Sequence, residues 1–340
     1  MNKFITSCVL CVILFVVPVA TFVSQKTGTL EGERRRVVAF PHAPKKIAAG
    51  EIKRFFREFD VFFADHFPLR GPLLSLSSRL HESTGSDLDM EKCYSGKENW
   101  LFLGNNYDRT VDKLQGRAKL SRAALRRHVE YYAGMRSAAR SNGADFVVFI
   151  GPNKSSVYPE YLPSFVTPAN KRFITPLVEA LRDAGVKVYD PTERLIRKKA
   201  EGILYYRTDT HWNERGAYEA FDGFREYMDL PALPRCTFVA GAELHRGDLV
   251  AIGGFEDFPL SKGDSDAPRW DPPLSHSVSE KTAWIFGDSF AGALGSYMRA
   301  TFAQTKSFRH EEFGQAMSSQ DKKPDIIIWV VVERNFAQAD

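Results

Sequence analysis

The chain has little of several features that would place a protein in a functional class at once. Its net charge is only +4 and no dense basic run recurs along it, so the sequence predicts no nucleic-acid partner. Beyond the first 23 residues it has no Cys-x-x-Cys pair and no histidine and cysteine cluster with zinc-like spacing. No metal and no cofactor is therefore predicted.

The composition is nevertheless that of a folded protein. Hydrophobic residues make up 44% and charged residues 26% of the chain, which indicates a packed core. A length of 340 residues suits a single elaborated α/β domain. The chain has no internal repeat and no low-complexity tract, so the argument for function rests on local motifs.

One long hydrophobic run is present, at the very start. Lys3 precedes an apolar stretch from Phe4 to Val23, which as a helix would rise about 30 Å and span a bilayer core. A cleaved signal peptide usually has a shorter apolar region and a small-x-small cleavage site, which fits this stretch poorly. The sequence favours an uncleaved signal anchor over residues 1–23, followed by a linker over 24–49. The alternative is a cleaved signal peptide, and both place the rest of the protein outside the cytoplasm.

The two cysteines beyond that run, Cys93 and Cys236, form a disulfide candidate. In an oxidising compartment they can pair and close a long loop, which stabilises by about 2–4 kcal/mol in the chain-entropy model. The alternative is two buried free thiols.

Strand and helix patterns alternate from residue 50 to residue 340, which predicts one α/β domain whose parallel sheet has helices on both faces. Residues 231–276 break the alternation, are rich in Pro, Gly and Asp, and predict an irregular insertion of the kind that often carries function. Strand-like runs occupy 145–150, 186–189, 204–207, 284–286 and 325–332, and residues 96–104 read as a turn followed by a further apolar strand. Helical patterns occupy 51–67, 117–141, 173–184, 192–200, 213–228 and 291–302.

Two short stretches supply the side chains of a Ser-His-Asp nucleophilic system. Asp209 and His211 follow one strand-like run, and Ser289 lies between another and the start of a helix. Because ligands bind beyond the carboxyl ends of the strands in open α/β sheets, the three can meet at one edge. A serine hydroxyl needs a base, and the base needs a carboxylate to fix its tautomer. We therefore predict Ser289 as nucleophile, His211 as base and Asp209 as its orienting group, although the serine or the histidine taken singly suits a structural role better.

These motifs resemble the alginate O-acetyltransferase AlgX/AlgJ family of SGNH hydrolase-like proteins. The chain has Asp-Thr-His-Trp at 209–212, then Gly216-Ala217, and Gly-Asp-Ser-Phe at 287–290. Further blocks match at 64–70, at 96–102 (with Asn99 where Gly is usual), at 152–160 and at 325–334. Ordinary SGNH hydrolases have the serine early and the Asp-x-x-His late, the reverse of the order here. The resemblance implies a three-layer α/β/α fold with a mostly parallel sheet.

The resemblance also implies a function. It is the transfer of acetyl groups to hydroxyls of an exopolysaccharide, alginate or similar, in the periplasm and through a Ser289 acetyl-enzyme. The implied partners are a polysaccharide acceptor, a membrane-bound O-acyltransferase as acetyl donor, and the inner membrane, which residues 4–23 would anchor as in the AlgJ type. Because the closing strand ends near Asp340, the carbohydrate-binding module of longer members is expected to be absent. Oxyanion or substrate-binding roles fall to four candidates, each of which suits a structural role as well: Asn153, Lys154, Tyr158 and Arg334.

Two other functions fit the same residues. A carbohydrate acetyl esterase would use the same triad, with water in place of a sugar hydroxyl attacking the acyl-enzyme. A non-catalytic polysaccharide-assembly or glycan-binding protein would keep the fold without the reaction.

Overall fold

A computed structural model describes residues 29–30, 35–36, 39–43, 49–66, 90–241, 244–255, 258–260, 262–273, 276–319 and 322–339. The predicted signal anchor at 1–23, most of the predicted linker at 24–49 and the end of the matching block at 64–70 lie outside the described residues. Within the described ranges no helix combines the length and apolarity needed to cross a bilayer.

The chain divides into two compact units, residues 1–83 with 250–258, and residues 84–249 with 259–340. In the smaller unit, strands β1 (Thr29–Leu30) and β2 (Arg35–Arg36) pair antiparallel. Helix α1 (Ala49–His66) confirms the helix predicted at 51–67. The ring of Phe40 lies edge-on against those of Phe59 and Phe62 on this helix, with centroids 6.1 and 5.2 Å apart.

The larger unit contains the remaining strands and nearly all other helices. Its strands are β3 (Cys93–Ser95), β4 (Leu101–Leu103), β5 (Asp145–Gly151), β6 (Lys187–Tyr189), β7 (Arg235–Ala240), β8 (Asp266–Asp271), β9 (Ser279–Gly287), β10 (Phe302–Phe308) and β11 (Ile326–Val332). The helices are α2 (Thr110–Leu114), α3 (Arg122–Ser141), α4 (Lys154–Val157), α5 (Thr175–Asp183), α6 (Thr192–Lys198), α7 (Glu214–Tyr227), α8 (Asp248–Gly253, which crosses the division), α9 (Phe290–Thr301), α10 (Phe313–Ser318) and α11 (Glu333–Phe336).

A five-stranded parallel sheet forms the centre of this unit, in the order β10-β9-β11-β5-β6. Strand β11 is buried at every position, as expected for an apolar strand covered on both faces. Side chains of α3 and α5 share one core with one face of the sheet, and those of α7 and α9 share a second core with the other face. The predicted mixed α/β fold with a mostly parallel sheet and helices on both faces is confirmed.

Two local expectations differ from the structure. The strand expected at 204–207 is wrong, because the chain there makes only one antiparallel bridge, from Tyr205 to Trp212. The segment between these two buried rings is a turn. Helix α3 begins at Arg122, later than the predicted start at 117, because the Ser121 side chain caps it by accepting a hydrogen bond from the Ala124 N–H at 3.1 Å.

The predicted insertion at 231–276 is an antiparallel ribbon of β7 and β8 with α8 between them. The disulfide predicted between Cys93 and Cys236 is not formed, and both residues are free thiols. Cys93 lies in the β3–β4 hairpin within the electrostatic reach of Lys154, whereas Cys236 lies in the ribbon near Arg215 and Glu219. The two thiols therefore belong to separate parts of the fold.

Candidate active site

The turn after β9 places Ser289 at the start of α9, with its side chain exposed. Asp288 holds the turn with both carboxylate oxygens: Oδ1 accepts from the Phe290 N–H at 3.0 Å, and Oδ2 accepts from the Val332 N–H at 2.7 Å. The turn is tight at Gly287, where an added Cβ would lie 2.5 Å from the Ala291 Cβ. These contacts fix the position of Ser289 between the ends of two parallel strands.

The structure brings together the three residues predicted to act on the acyl group. His211 Nε2 lies 2.7 Å from Ser289 Oγ, and His211 Nδ1 lies 2.6 Å from Asp209 Oδ1. The His211 ring is tilted over that of Phe290, with centroids 5.1 Å apart. A proton on Nδ1 shared with the carboxylate leaves Nε2 as the acceptor for the serine proton, which is the arrangement that activates a weak hydroxyl nucleophile.

Lys154 supports the backbone of the segment that carries Asp209 and His211. Its Nζ donates to the backbone carbonyls of Tyr206, Arg207 and Asp209 at 3.1, 2.9 and 2.7 Å. Burial lowers the pKa of Lys154 to about 7. Because these three carbonyls accept all the protons of an ammonium group, Lys154 has no donor left for an oxyanion.

Tyr158, the second of the four candidates, also supports the backbone. It is 4% exposed, and its hydroxyl accepts a hydrogen bond from the Leu204 N–H at 2.9 Å. This hydrogen bond ties the Tyr158 hydroxyl to the segment that leads to Asp209. Lys154 and Tyr158 are thus supporting residues, and the structure favours the structural alternative for both.

The other two candidates, Asn153 and Arg334, line a common cavity of about 160 Å³. The Arg334 guanidinium lies 5.8 Å from the centroid of the Phe290 ring, on the residue that follows Ser289. Burial lowers the pKa of Arg334. Asn153 donates its backbone N–H to Glu333 Oε2 at 2.8 Å. The same cavity is lined by Lys113, Arg172 and Glu333, and Arg172 pairs with Glu333 Oε1 at 2.8 Å.

The structure adds two residues that the sequence did not single out, His245 and Asp248 of the insertion. Asp209 Oδ2 accepts from His245 Nε2 at 3.1 Å and from the Asp248 N–H at 3.2 Å. The Asp248 carboxylate accepts from the N–H and the hydroxyl of Thr210 at 2.8 and 2.6 Å. The sequence signal for them is weak: a group of polar residues around Gly247, in a stretch without periodicity.

The charges in this cluster are uneven. Burial raises the pKa of Asp209, but hydrogen bonds from His211 and His245 outweigh burial and hold that pKa well below its usual range. Burial and the neighbouring Asp209 charge raise the pKa of Asp248. Asp209 is therefore the permanent carboxylate of the pair.

Asp209, His211 and Asp248 bring atoms that commonly ligate metals within 4.8 Å of one another. The hydrogen bond between His211 Nδ1 and Asp209 Oδ1 occupies two of these atoms, and the Thr210 hydroxyl donates to Asp248 Oδ2. The donors and acceptors are matched to each other, which is an arrangement for fixing a proton.

The amino-acid sequence matches known families. The family model described as "SGNH hydrolase-like domain, acetyltransferase AlgX" matches residues 93–261. A protein named "Probable alginate O-acetylase AlgJ" from Pseudomonas putida is 27% identical over 276 residues, which cover 70% of this chain and 69% of that protein. The protein of the same name from Pseudomonas syringae is 27% identical over 277 residues, which cover 70% and 68%.

Solved structures share the fold. The O-acetyltransferase domain of Pseudomonas putida AlgJ superposes with a TM-score of 0.51 at 22% identity, covering 72% of this chain and 92% of that domain. Bacillus cereus PatB1 also superposes with a TM-score of 0.51, at 12% identity, covering 72% and 97%. At these identities the likeness concerns the mixed α/β fold and its mostly parallel sheet.

Proposed function

The chain belongs to the AlgX/AlgJ family of SGNH hydrolase-like proteins, and from that premise we propose that it transfers acetyl groups to hydroxyls of an exopolysaccharide, alginate or similar, through a Ser289 acetyl-enzyme. Relatives named as alginate O-acetylases support an O-acetyltransferase role. The observation that carries the proposed chemistry is the continuous contact from Asp209 through His211 to Ser289, with distances of 2.6 and 2.7 Å.

The first half of the reaction loads the enzyme. Ser289 Oγ attacks the carbonyl carbon of an acetyl donor while His211 Nε2 takes the serine proton. The tetrahedral intermediate then collapses, the bond from carbon to the donor's leaving group breaks, and His211 returns the proton to that group. Asp209 stabilises the imidazolium that exists between the two proton transfers.

The second half unloads it. A sugar hydroxyl attacks the acetyl-Ser289 ester and gives its proton to His211 Nε2. Collapse forms the new sugar ester, and His211 returns the proton to Ser289 Oγ, so the enzyme ends as it began. In both halves the Ser289 N–H and the N-terminus of α9 lie beside the place where negative charge develops, which favours the intermediate.

Asn153 and Arg334 are our candidates for acceptor contacts. Both line one cavity, and the Arg334 guanidinium lies 5.8 Å from the centroid of the Phe290 ring, on the residue that follows Ser289. A guanidinium suits the acidic sugars of a polymer such as alginate because it pairs with a carboxylate in a bidentate manner.

We place the reaction in the periplasm, with residues 4–23 as the anchor to the inner membrane and a membrane-bound O-acyltransferase as the source of acetyl groups. The support is the apolar run itself. Protease digestion of cells with a closed and with an opened outer membrane tests the location. The mass of the mature N-terminus tests the anchor.

The full-length protein, purified in detergent, tests the chemistry. With a chromogenic acetyl ester we expect acetate release, which Ser289→Ala and His211→Ala should reduce to background, while the matched control Ser318→Ala, an exposed serine on α10, should not. An acetylated oligosaccharide detected by mass spectrometry after adding an acceptor supports transfer. Release of acetate without such a product supports the esterase, and full activity of Ser289→Ala overturns the triad.

A further inference from the structure

The geometry around Asp209 points to a second histidine in the catalytic arrangement. We propose that His245, from the insertion, is a positioning residue that acts through Asp209, and this inference rests on the proposed function. His245 does not contact the reacting atoms. It holds the carboxylate oxygen that His211 leaves open, so that Asp209 presents its other oxygen to His211 in one orientation.

The two oxygens of Asp209 have separate partners. Oδ1 accepts from His211 Nδ1 at 2.6 Å and from the His211 backbone N–H at 3.0 Å. Oδ2 accepts from His245 Nε2 at 3.1 Å and from the Asp248 N–H at 3.2 Å. Because Asp209 is the permanent carboxylate of the cluster, it can only accept, and His245 Nε2 therefore carries the proton in this contact. Four hydrogen bonds on one carboxylate leave it no freedom to rotate.

The His245 ring is itself fixed. It stacks on the Tyr206 ring with centroids 3.8 Å apart and planes 19° apart. The His245 carbonyl accepts from the Thr208 hydroxyl at 3.0 Å, and the Gly247 N–H donates to the same hydroxyl oxygen at 3.2 Å. The loop before α8 is thus tied to the segment that carries Asp209 at the backbone as well as at the ring, and the ordering of the His245 side chain adds little further entropy loss when the reaction begins.

Loss of the His245 N–H leaves Asp209 Oδ2 with the Asp248 N–H as its one remaining donor. The carboxylate is then free to turn away from His211 and no longer fixes the tautomer of that ring. Because His245 does not touch the substrate, its loss should lower kcat and leave KM little changed.

Steady-state kinetics of the full-length protein on the chromogenic acetyl ester tests the inference. For His245→Ala we expect kcat to fall at least about tenfold, since a hydrogen bond to a charged group is of that order, with KM little changed. His245→Gln keeps an N–H within reach of Oδ2 and should restore kcat to within about twofold of wild type.

Controls separate positioning from packing. His276→Ala changes an exposed histidine of the same insertion and should leave kcat and KM unchanged. If His245→Ala does not fold, His245→Asn replaces it, because the shorter amide cannot reach Oδ2 while the polarity is kept; the expected result is an active Gln variant and an impaired Asn variant.

Three outcomes overturn the inference: a wild-type kcat in His245→Ala, equal activity of the Asn and Gln variants, or equal impairment of the Ala and Gln variants with a lower melting temperature. The outcome for the proposed function is read separately. If Ser289→Ala abolishes activity while His245→Ala does not impair it, only the role of His245 falls. If Ser289→Ala remains active, the proposed function itself falls.

Discussion

The Nζ of Lys154 lies 2.7 Å from the backbone carbonyl oxygen of Asp209. Lys154 begins α4, directly after the loop that leaves the central strand β5, and only 5% of its surface is exposed. A buried amino group at this point joins the carboxyl end of the sheet to the segment with the acid and the base of the proposed triad. Lys154 therefore connects the fold to the site through the backbone carbonyls of that segment.

Replacing Lys154 by methionine should destabilise the protein and abolish ester cleavage together. The change removes the Lys154 donor from three partly buried carbonyls, of which the Arg207 carbonyl keeps the Leu101 N–H and the Tyr206 carbonyl keeps the Asp209 N–H. The loss of three hydrogen bonds costs about 3 kcal/mol in the free energy of unfolding. Urea denaturation followed by tryptophan fluorescence measures this loss. Lys187→Met is the matched control, because the Lys187 side chain is 48% exposed in its pair with Asp145, and it should change stability by less than about 0.5 kcal/mol. A Lys154→Met variant as stable as wild type would contradict the role given to Lys154.

Asp288→Ala should lower kcat by about 100-fold, because a displacement of the nucleophile by about 1 Å has an effect of that size. The change releases Ser289 from the end of β11 by removing the acceptor of the Val332 N–H. Asp325→Ala is a matched control at the opposite end of the same two strands, where Asp325 Oδ2 accepts from the N–H and hydroxyl of Thr282 at 2.7 and 2.9 Å. The control should lower stability without lowering kcat; an equal loss of kcat in both would mean that Asp288 acts on the sheet in general.

The loss of stability caused by Asp209→Asn should disappear in acid. The pKa of Asp209 is held below its usual range by His211 and His245 against the effect of burial, so the charged carboxylate stabilises the folded state at every pH above the ordinary aspartate value of about 3.9. As the pH falls below that value toward the lower folded pKa, the unfolded state binds the proton first and this stabilisation declines. The difference in unfolding free energy between wild type and variant should thus shrink below about pH 4. Chemical denaturation at a series of pH values below 5 measures it, and a difference that grows below pH 4 would contradict the assigned charge.

Arg334→Ala should weaken the acceptor more than the chromogenic ester. We expect the KM for an acidic oligosaccharide to rise about tenfold, in line with loss of one charge-assisted contact, while kcat on the small ester changes by less than about twofold. Arg126→Ala, on the exposed face of α3, is the control with the same loss of charge. Product formation followed by mass spectrometry at varied acceptor concentration supplies the KM. An unchanged KM would remove Arg334 from the acceptor site.

Cys93 and Cys236 should both react as thiols only slowly in the folded protein. Burial raises the pKa of Cys236 to about 11 and raises that of Cys93 further, so little thiolate exists at pH 8. Iodoacetamide labelling followed by peptide mass spectrometry should find both cysteines unmodified in the native protein, and both modified after unfolding without a reductant. A requirement for reductant would show the disulfide that the sequence predicted.

The elements with a clear hydrophobic pattern could be predicted from the sequence. The apolar run at 326–332 is a central strand because every side chain in it is buried. The sequence does not predict strand β10. It follows α9 directly, with no turn signal between them, and among the described strands it pairs with β9 at the edge of the sheet. Its polar residues therefore lack the apolar pattern of a buried strand.

The site was predictable only in part. Asp209, His211 and Ser289 stood out because each lies in a short motif after a strand-like run, and the structure places them in contact. His245 and Asp248 lie in an aperiodic insertion, and their approach to Asp209 is set by the tertiary fold. The sequence likewise does not determine the direction of a lysine side chain. It therefore allows an oxyanion role for Lys154, whereas in the structure Lys154 Nζ donates to backbone carbonyls.

Gly247 limits how the insertion can be exchanged between proteins. A Cβ at this position would lie 2.2 Å from the Thr208 carbonyl oxygen and 2.5 Å from the Asp209 Cβ, and no rearrangement of a side chain relieves a clash with backbone. Loop grafting that keeps the ribbon of β7 and β8 but brings any larger residue to this position would push the loop off the acid and base. The insertion can therefore be exchanged between proteins only if this glycine is kept. Chimaeras designed to alter acceptor choice should place their junctions outside residues 244–248.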